Sequence, residues 1–387
     1  MIMKLIKHSS PDLINMVSQL IATPSISCVQ SNLDMSNEPV IDLLANWLQG
    51  SGFEVQKQSV NPGKYNLIAH KGKGSEGLIL SGHTDTVPCN ESLWKSDPFS
   101  LTERDQRFYG LGSCDMKSFI AMAITASQSF NDDQYIHPLT IIATADEETT
   151  MAGARMLSES GQPLGKYCVI GEPTDLKPIR EHKGIMMESI RFIGSSGHSN
   201  NPQLGNSALE GMLDFTQRLL KYRQQLQETY QNPAFDVATP TMNLGHIHGG
   251  DNPNRICGDC DLHIDLRFLP GMEYELLRTQ IHQIGKTVAE HRDLKVEFQS
   301  LFNGIPAMHT DPHSALNEYL QQITLHKSRS VAFATEAPFY NEMGCETIVL
   351  GPGSINQAHQ PDEFLPADQI KPTVTLLENL IQRFCCT

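Results

Sequence analysis

Apolar positions along the chain follow two spacings, and the order in which they alternate outlines the fold. Leu13, Ile14, Val17, Leu20 and Ile21 share one helical face, with Ser10-Pro11 reading as a cap and first helical residue. Val40, Ile41, Leu44, Trp47 and Leu48 repeat the 3.6-residue spacing, and that helix ends near Gly50 and Gly52. Apolar runs at 53–55, 65–69 and 78–80 are too short for helices and read as strands. Met116, Phe119, Ile120, Ala123 and Ile124 mark a further helix, and Leu139–Thr144 a further buried strand. A helix around 152–157, a strand at 168–171 and a strand near Ile179 follow. Strands alternating with helices predict an α/β domain with a mostly parallel central sheet. From about Gly184 the order becomes strand 185–193, helix 206–229, strands 241–248 and 256–268, helix 273–290 and strand 294–299. That is a ferredoxin-like βαββαβ unit with a sheet of its own. The first pattern resumes after Pro306, with strands near Val331 and at 348–350 and a last helix over 373–384. The predicted organisation is thus a discontinuous large domain, 1–183 and 303–387, interrupted by an inserted domain, 184–302. Segments 181–184 and 303–306 are its hinge candidates.

Composition narrows the function classes. A chain of 387 residues exceeds one ordinary core, and its length suggests two or three domains. With 39% hydrophobic and 19% charged residues it reads as a soluble globular protein, and no apolar run reaches the ~18 residues of a membrane span. The N-terminal Met-Ile-Met-Lys-Leu-Ile-Lys-His has no apolar block of the signal-peptide kind. The 9 cysteines, odd in number and scattered, suit reduced thiols in a cytoplasmic protein better than a disulfide framework. A net charge of −15 argues against nucleic acid or an anionic membrane as partner.

Chemistry concentrates where the apolar strands end. Ser81-Gly-His-Thr-Asp-Thr-Val-Pro88 follows the run at 78–80, and residues two apart on an extended segment face the same way. His83 and Asp85 therefore share a face, and a histidine that binds metal through one nitrogen needs the other held, usually by a carboxylate. Metal-type ligands recur at the ends of apolar segments: Asp115, the pair Glu147-Glu148, Glu172, and His359. Two histidines with three or four carboxylates exceed what one tetrahedral ion needs. A carboxylate bridging two ions would use them economically, and adjacent glutamates can divide the work between ligand and proton acceptor.

The whole chain resembles the co-catalytic zinc aminoacylase/carboxypeptidase family. The resemblance rests on Ser81–Pro88, Tyr109-Gly-Leu-Gly-Ser-Cys-Asp-Met-Lys117, Ala143-Thr-Ala-Asp-Glu-Glu148, Gly171-Glu-Pro-Thr174, Ser196-Gly-His-Ser199, Asn243-Leu-Gly-His-Ile-His-Gly-Gly-Asp251, Asp265-Leu-Arg267, Thr335-Glu-Ala-Pro338 and the stretch 351–363. It implies a zinc domain carrying an inserted dimerisation (lid) domain, two divalent ions (zinc, with cobalt as the alternative) and a homodimer. His83 and Glu172 would hold one ion, Glu148 and His359 the other, with Asp115 bridging. Asp85 would orient His83, and Glu147 would be the general base. His198 would reach the partner's site and polarise the scissile carbonyl, Arg267 would hold a substrate carboxylate, and Asn254 would contact substrate. Glu336 is a candidate for the substrate's cationic end. The implied reaction is metal-dependent hydrolysis of an N-acylated amino acid, with N2-acetyl-L-ornithine, a precursor in arginine synthesis, as the expected substrate. Succinyl-diaminopimelate or a dipeptide is the alternative. A non-catalytic scaffold would be marked by a missing base or ligand, and every one is present.

Two segments depart from the family's pattern or suggest other chemistry. Cys114 stands before the bridging aspartate where alanine is expected, and reads as a small buried residue. Cys257-x-x-Cys260, placed on an extended strand, would send its thiols to opposite faces, which argues against a zinc or redox pair.

Overall fold

A computed structural model describes residues 11–162 and 164–386 and divides the chain into two compact units. The first runs to Arg180 and takes in Thr310–Arg329 and the residues from Thr335 onward; the second comprises Glu181–His309 and Ser330–Ala334. In chain order the elements are α1 (Leu13–Ile21), α2 (Glu38–Gly50), β1 (Glu54–Asn61), β2 (Lys64–Lys71), β3 (Leu78–His83), β4 (Thr102–Arg104), β5 (Arg107–Tyr109), α3 (Lys117–Ser127), β6 (Leu139–Thr144), α4 (Ala152–Glu159), β7 (Tyr167–Pro173) and β8 (Ile179–His182). There follow β9 (Gly184–Ile193), α5 (Ala208–Thr229), β10 (Thr241–Gly249), β11 (Asp259–Phe268), α6 (Tyr274–Arg292), β12 (Lys295–Ile305) and β13 (Met308–His309). The chain closes with α7 (Ala315–Thr324), β14 (Arg329–Val331), α8 (Ala337–Glu342), β15 (Glu346–Gly351), β16 (Phe364–Pro366) and α9 (Ala367–Cys385).

In the first unit the central sheet has the order β1-β2-β6-β3-β7-β15. Strand β3 runs parallel to β6 and β7, and β7 parallel to β15, while β1 and β2 are antiparallel additions. Helices cover both faces of such a sheet, so its central strands read as unbroken apolar runs; every residue of β3 and β6 is buried. Helix α3 is buried nearly all round and lies against this sheet. Gly171 of β7 lets it come close, since a Cβ there would sit 2.0 Å from the Phe119 ring.

Three expectations change at this level. Ser10 lies outside the described residues, and the N–H of Asn15 is capped by Asp12 at 3.0 Å instead. Helix α9 starts at Ala367 and carries Pro372 at its sixth position, where the missing N–H leaves one main-chain hydrogen bond unmade. A small sheet, β16-β5-β4, and the six-residue helix α8 were not expected, because elements this short carry too little periodicity; helix α7 was not expected either.

The second unit has the sheet order β10-β11-β9-β12, all antiparallel, with α5 and α6 packed on it. Alternation in β11 buries Cys260, Leu262, Ile264, Leu266 and Phe268 in the core with Met186, Ile190 and Phe192 of β9. Strand β11 begins only at Asp259, so Cys257 precedes it; both thiols lie in the same core as free cysteines. Among the described residues no helix is long and apolar enough to cross a membrane.

Candidate active site

Four neighbouring parallel strands, β6, β3, β7 and β15, end on the same side of the sheet, where ligands gather in such folds. His83 is the last residue of β3, and Glu172 lies at the end of β7. Glu147 and Glu148 sit in the turn that follows β6, and the loop after β15 brings in His359 with a left-handed backbone, φ 59°. Asp115 comes from the loop before α3.

These side chains converge. Nε2 of His83 lies 3.0 Å from Oδ1 of Asp115 and 3.8 Å from Oε1 of Glu172. Nε2 of His359 lies 3.0 Å from Oε2 of Glu148 and 3.6 Å from Oδ2 of Asp115. Asp115 thus stands between the two histidines. Among the described residues, two groups have ligand atoms all within 4.8 Å of one another: His83, Glu147 and Glu172, and His83, Asp115 and Glu148.

The charges are mismatched as a cation site requires. Burial, reinforced by neighbouring carboxylates, pushes Glu147 and Glu172 well above the usual carboxylate range and raises Glu148 as well. Burial opposes a charge on His83, but its hydrogen bond to Asp115 and the glutamates around it outweigh that and hold its pKa well above 6.5. His359 is raised to about 8, chiefly by its hydrogen bond to Glu148. Oε1 of Glu172 is buried and has no hydrogen-bond partner among the described residues, although buried polar atoms are nearly always paired. A divalent cation fits all of this. It would satisfy the orphaned oxygen, offset the carboxylate repulsion and take the place of the histidine protons.

A second layer fixes the ligands. Nδ1 of His83 lies 2.9 Å from the carbonyl oxygen of Asp85 and so carries the proton, leaving Nε2 as the donor atom toward Asp115 and Glu172. The orienting contact is therefore made by the main chain of Asp85. Its carboxylate is 3.7 Å from the same nitrogen and accepts the N–H groups of Glu147 (3.2 Å) and Glu148 (3.1 Å). Sequence reading assigned no role to Glu363. Its buried carboxylate accepts the N–H groups of Gly112, Cys114 and Asp115 at 3.1, 2.7 and 3.0 Å, which shapes the loop that presents Asp115. The only available signal was its position at the end of the His359 motif.

Glu336 is in the first unit and fully buried; Thr144 donates to its Oε2 at 2.8 Å, and burial pushes its pKa to about 7. It is an internal carboxyl beneath the strand ends rather than one open to solvent. His198, Asn254 and Arg267 belong to the second unit. His198 is exposed, its Nδ1 accepts the N–H of Asn200, and its strand bridges to Arg255. Asn254 is adjacent, accepting the N–H of Ser199 at 3.0 Å. Arg267 forms a two-pronged ion pair with Asp265, Nε to Oδ1 at 2.7 Å and Nη2 to Oδ2 at 3.0 Å. Nη1 has no part in that pair.

Comparison with known proteins places the chain in a family. Peptidase family M20/M25/M40 matches residues 79–383, and the chain belongs to that family. Within it, the chain is 48% identical over 377 residues to the acetylornithine deacetylase of Edwardsiella ictaluri (strain 93-146), covering 97% of this chain and 98% of that protein. The fold is shared with aminopeptidase PepT from Bacillus cereus ATCC 10987, at a TM-score of 0.76 and 17% identity over 96% of this chain and 98% of that one. It is shared as well with the YXEP protein of Bacillus subtilis, described as a dinuclear metal binding peptidase of the M20 family, at a TM-score of 0.68 and 14% identity over 96% and 97% of the two chains.

Proposed function

We propose that this chain hydrolyses the amide of N2-acetyl-L-ornithine, giving L-ornithine and acetate, as a cytoplasmic step of arginine biosynthesis. The observation that carries the chemistry is the buried cluster at the strand ends, in which Oε1 of Glu172 has no hydrogen-bond partner among the described residues. The substrate reading draws on the near full-length similarity to an acetylornithine deacetylase. His83 and Glu172 would hold one divalent ion and Glu148 and His359 the other, with Asp115 between them. Zinc suits the imidazole and carboxylate donors, and cobalt is the alternative.

When bound, the ions supply Lewis acidity and lower the pKa of a water in the site. Glu147 takes the proton of that water as its oxygen attacks the acetyl carbon. Glu147 suits this role because its carboxylate lies beside the ligand cluster, within reach of His83 and Glu172, without being one of the four end ligands or the bridge assigned above. His198 of a second subunit donates to the developing oxyanion. Glu147 then passes its proton to the ornithine nitrogen as the C–N bond breaks. Arg267 would bind the substrate's carboxylate with its remaining N–H groups, and Asn254 contributes beside His198. Glu336, fully buried, is given no substrate contact.

A homodimer formed through the second unit goes with this reading. Strand β10 ends its sheet with no further strand beside it among the described residues, and Ile247 on it is 55% exposed. Leu213 of α5, which packs over β10, is 54% exposed. Sedimentation should give twice the chain mass; a monomer that retains full activity would remove the role assigned to His198.

The substrate is tested by stripping the protein of metal, titrating zinc or cobalt back, and comparing N2-acetyl-L-ornithine, succinyl-diaminopimelate and a dipeptide. Metal-dependent turnover of acetylornithine should dominate. Preference for either competitor overturns the substrate and keeps the chemistry. Silence on all three, with metal bound, would indicate a scaffold.

A further inference from the structure

The turn that carries Glu147 and Glu148 is held from behind by a buried ion pair that the chemistry above does not use. Asp146, the residue before the pair, has a left-handed backbone, φ 58°, and its carbonyl accepts the N–H groups of Thr150 and Met151 at 3.0 and 2.7 Å. Its carboxylate Oδ1 lies 3.1 Å from Nζ of Lys64, a buried lysine of β2, and accepts the hydroxyl of Ser27 at 2.8 Å. Asn61 donates to Oδ2 at 3.4 Å. The same Lys64 ammonium donates to Asp34 at 2.8 Å and to the Ser27 oxygen at 3.1 Å. One residue earlier, Asn66 of β2 accepts the N–H of Ala145 at 3.1 Å. With Asp85 gripping the N–H groups of Glu147 and Glu148, the turn is clamped at both ends.

A buried ion pair is a weak device for stability, because desolvation offsets much of its attraction. Its use here is to fix geometry: Asp146 without Lys64 would be an uncompensated buried charge, whereas Lys64 keeps Asp34 as a second partner. Glu147 and Glu148 face the ligand cluster, whereas the Asp146 carboxylate meets Lys64 and Ser27 instead. A displacement of ~1 Å at a reacting group can change a rate ~100-fold.

We propose that Lys64, acting through Asp146, is a positioning residue for Glu147: it sets the turn so that this carboxylate meets the attacking water. The inference rests on Glu147 being the proton acceptor. It assigns work in the reaction to two residues on β2 and the β6 turn that are neither ligands nor substrate contacts.

The test compares Lys64→Met, Asp146→Asn and the double variant, with metal content, thermal transition, kcat and KM measured on each. Positioning predicts a kcat lowered ~10- to 100-fold, KM within ~3-fold of the parent and two ions still bound per chain. The double variant should be no slower than the worse single one, because the two residues act as a unit. Wild-type kcat in a folded, metal-loaded Lys64→Met protein overturns the proposal and leaves the pair merely structural. Where Lys64→Met fails to fold or loses metal, Ser27→Ala decides. A fall in kcat with both ions retained supports positioning, and an unchanged kcat sinks it. Glu147→Gln run alongside separates the two readings, since an unaffected kcat there removes the base itself whatever Lys64 does.

Discussion

Replacing Glu147 by glutamine is expected to lower kcat about 10³-fold while the protein keeps two metal ions per chain. General-base catalysis contributes roughly 10²- to 10⁴-fold, and the middle of that range corresponds to ~4 kcal/mol of barrier. Glutamine keeps the size and the main-chain hydrogen bond to Asp85, so the turn survives while the proton acceptor is lost. The sign of the pH effect follows from the same role. A base works only when deprotonated, so the parent enzyme loses rate as pH falls through the pKa of Glu147, and the variant should lack that acidic limb. Metal analysis beside saturating kinetics makes the check. Because Glu147 lies within ligand distance of His83 and Glu172, loss of an ion in the variant would make it a ligand and move the base elsewhere.

The second large effect is expected at Asp115. It is the carboxylate placed against both histidines, at 3.0 Å from His83 and 3.6 Å from His359. Asp115→Ala should release at least one of two ions and weaken the affinity for the other by more than the ~10- to 100-fold that outer-layer partners alone cost. Activity should fall below that of Glu147→Gln, because losing ions removes the Lewis acidity and the activated water together. Isothermal titration of zinc into metal-free parent and variant reads this directly. Two tight ions in the alanine variant would show that Asp115 does not bridge.

Much of this was readable along the chain. The apolar runs Leu78–Leu80 and Leu139–Thr144 announced buried parallel strands because a sheet covered on both faces needs no polar alternation. The βαββαβ order of the second unit followed from alternating periods of 2 and 3.6 residues, and its observed elements lie within a few residues of the expected ones. Most of the ligand residues stood out because each follows an apolar strand, and in a parallel sheet such positions collect at one edge; Asp115 enters instead from the loop before α3. What stayed hidden was short or non-local. Three-residue strands such as Thr102–Arg104 carry no period to detect. Glu363 was given no role, because its partners, Gly112 to Asp115, are some 250 positions away.

The sequence by itself determined most of the longer strands and helices, that one α/β unit is interrupted by another, and which histidines and carboxylates are available to a metal. Those follow from periodicity and from chemical type, both of which are local. Only the tertiary structure decided that the Asp85 main chain orients His83 while its carboxylate holds the glutamate turn, that Glu336 is sealed beneath the strands, that Arg267 is already paired with Asp265, and that Lys64 stands behind Asp146. Hydrogen bonds and ion pairs act over about 3 Å in space whatever the separation along the chain, so which polar groups meet is settled when the sheet order is settled.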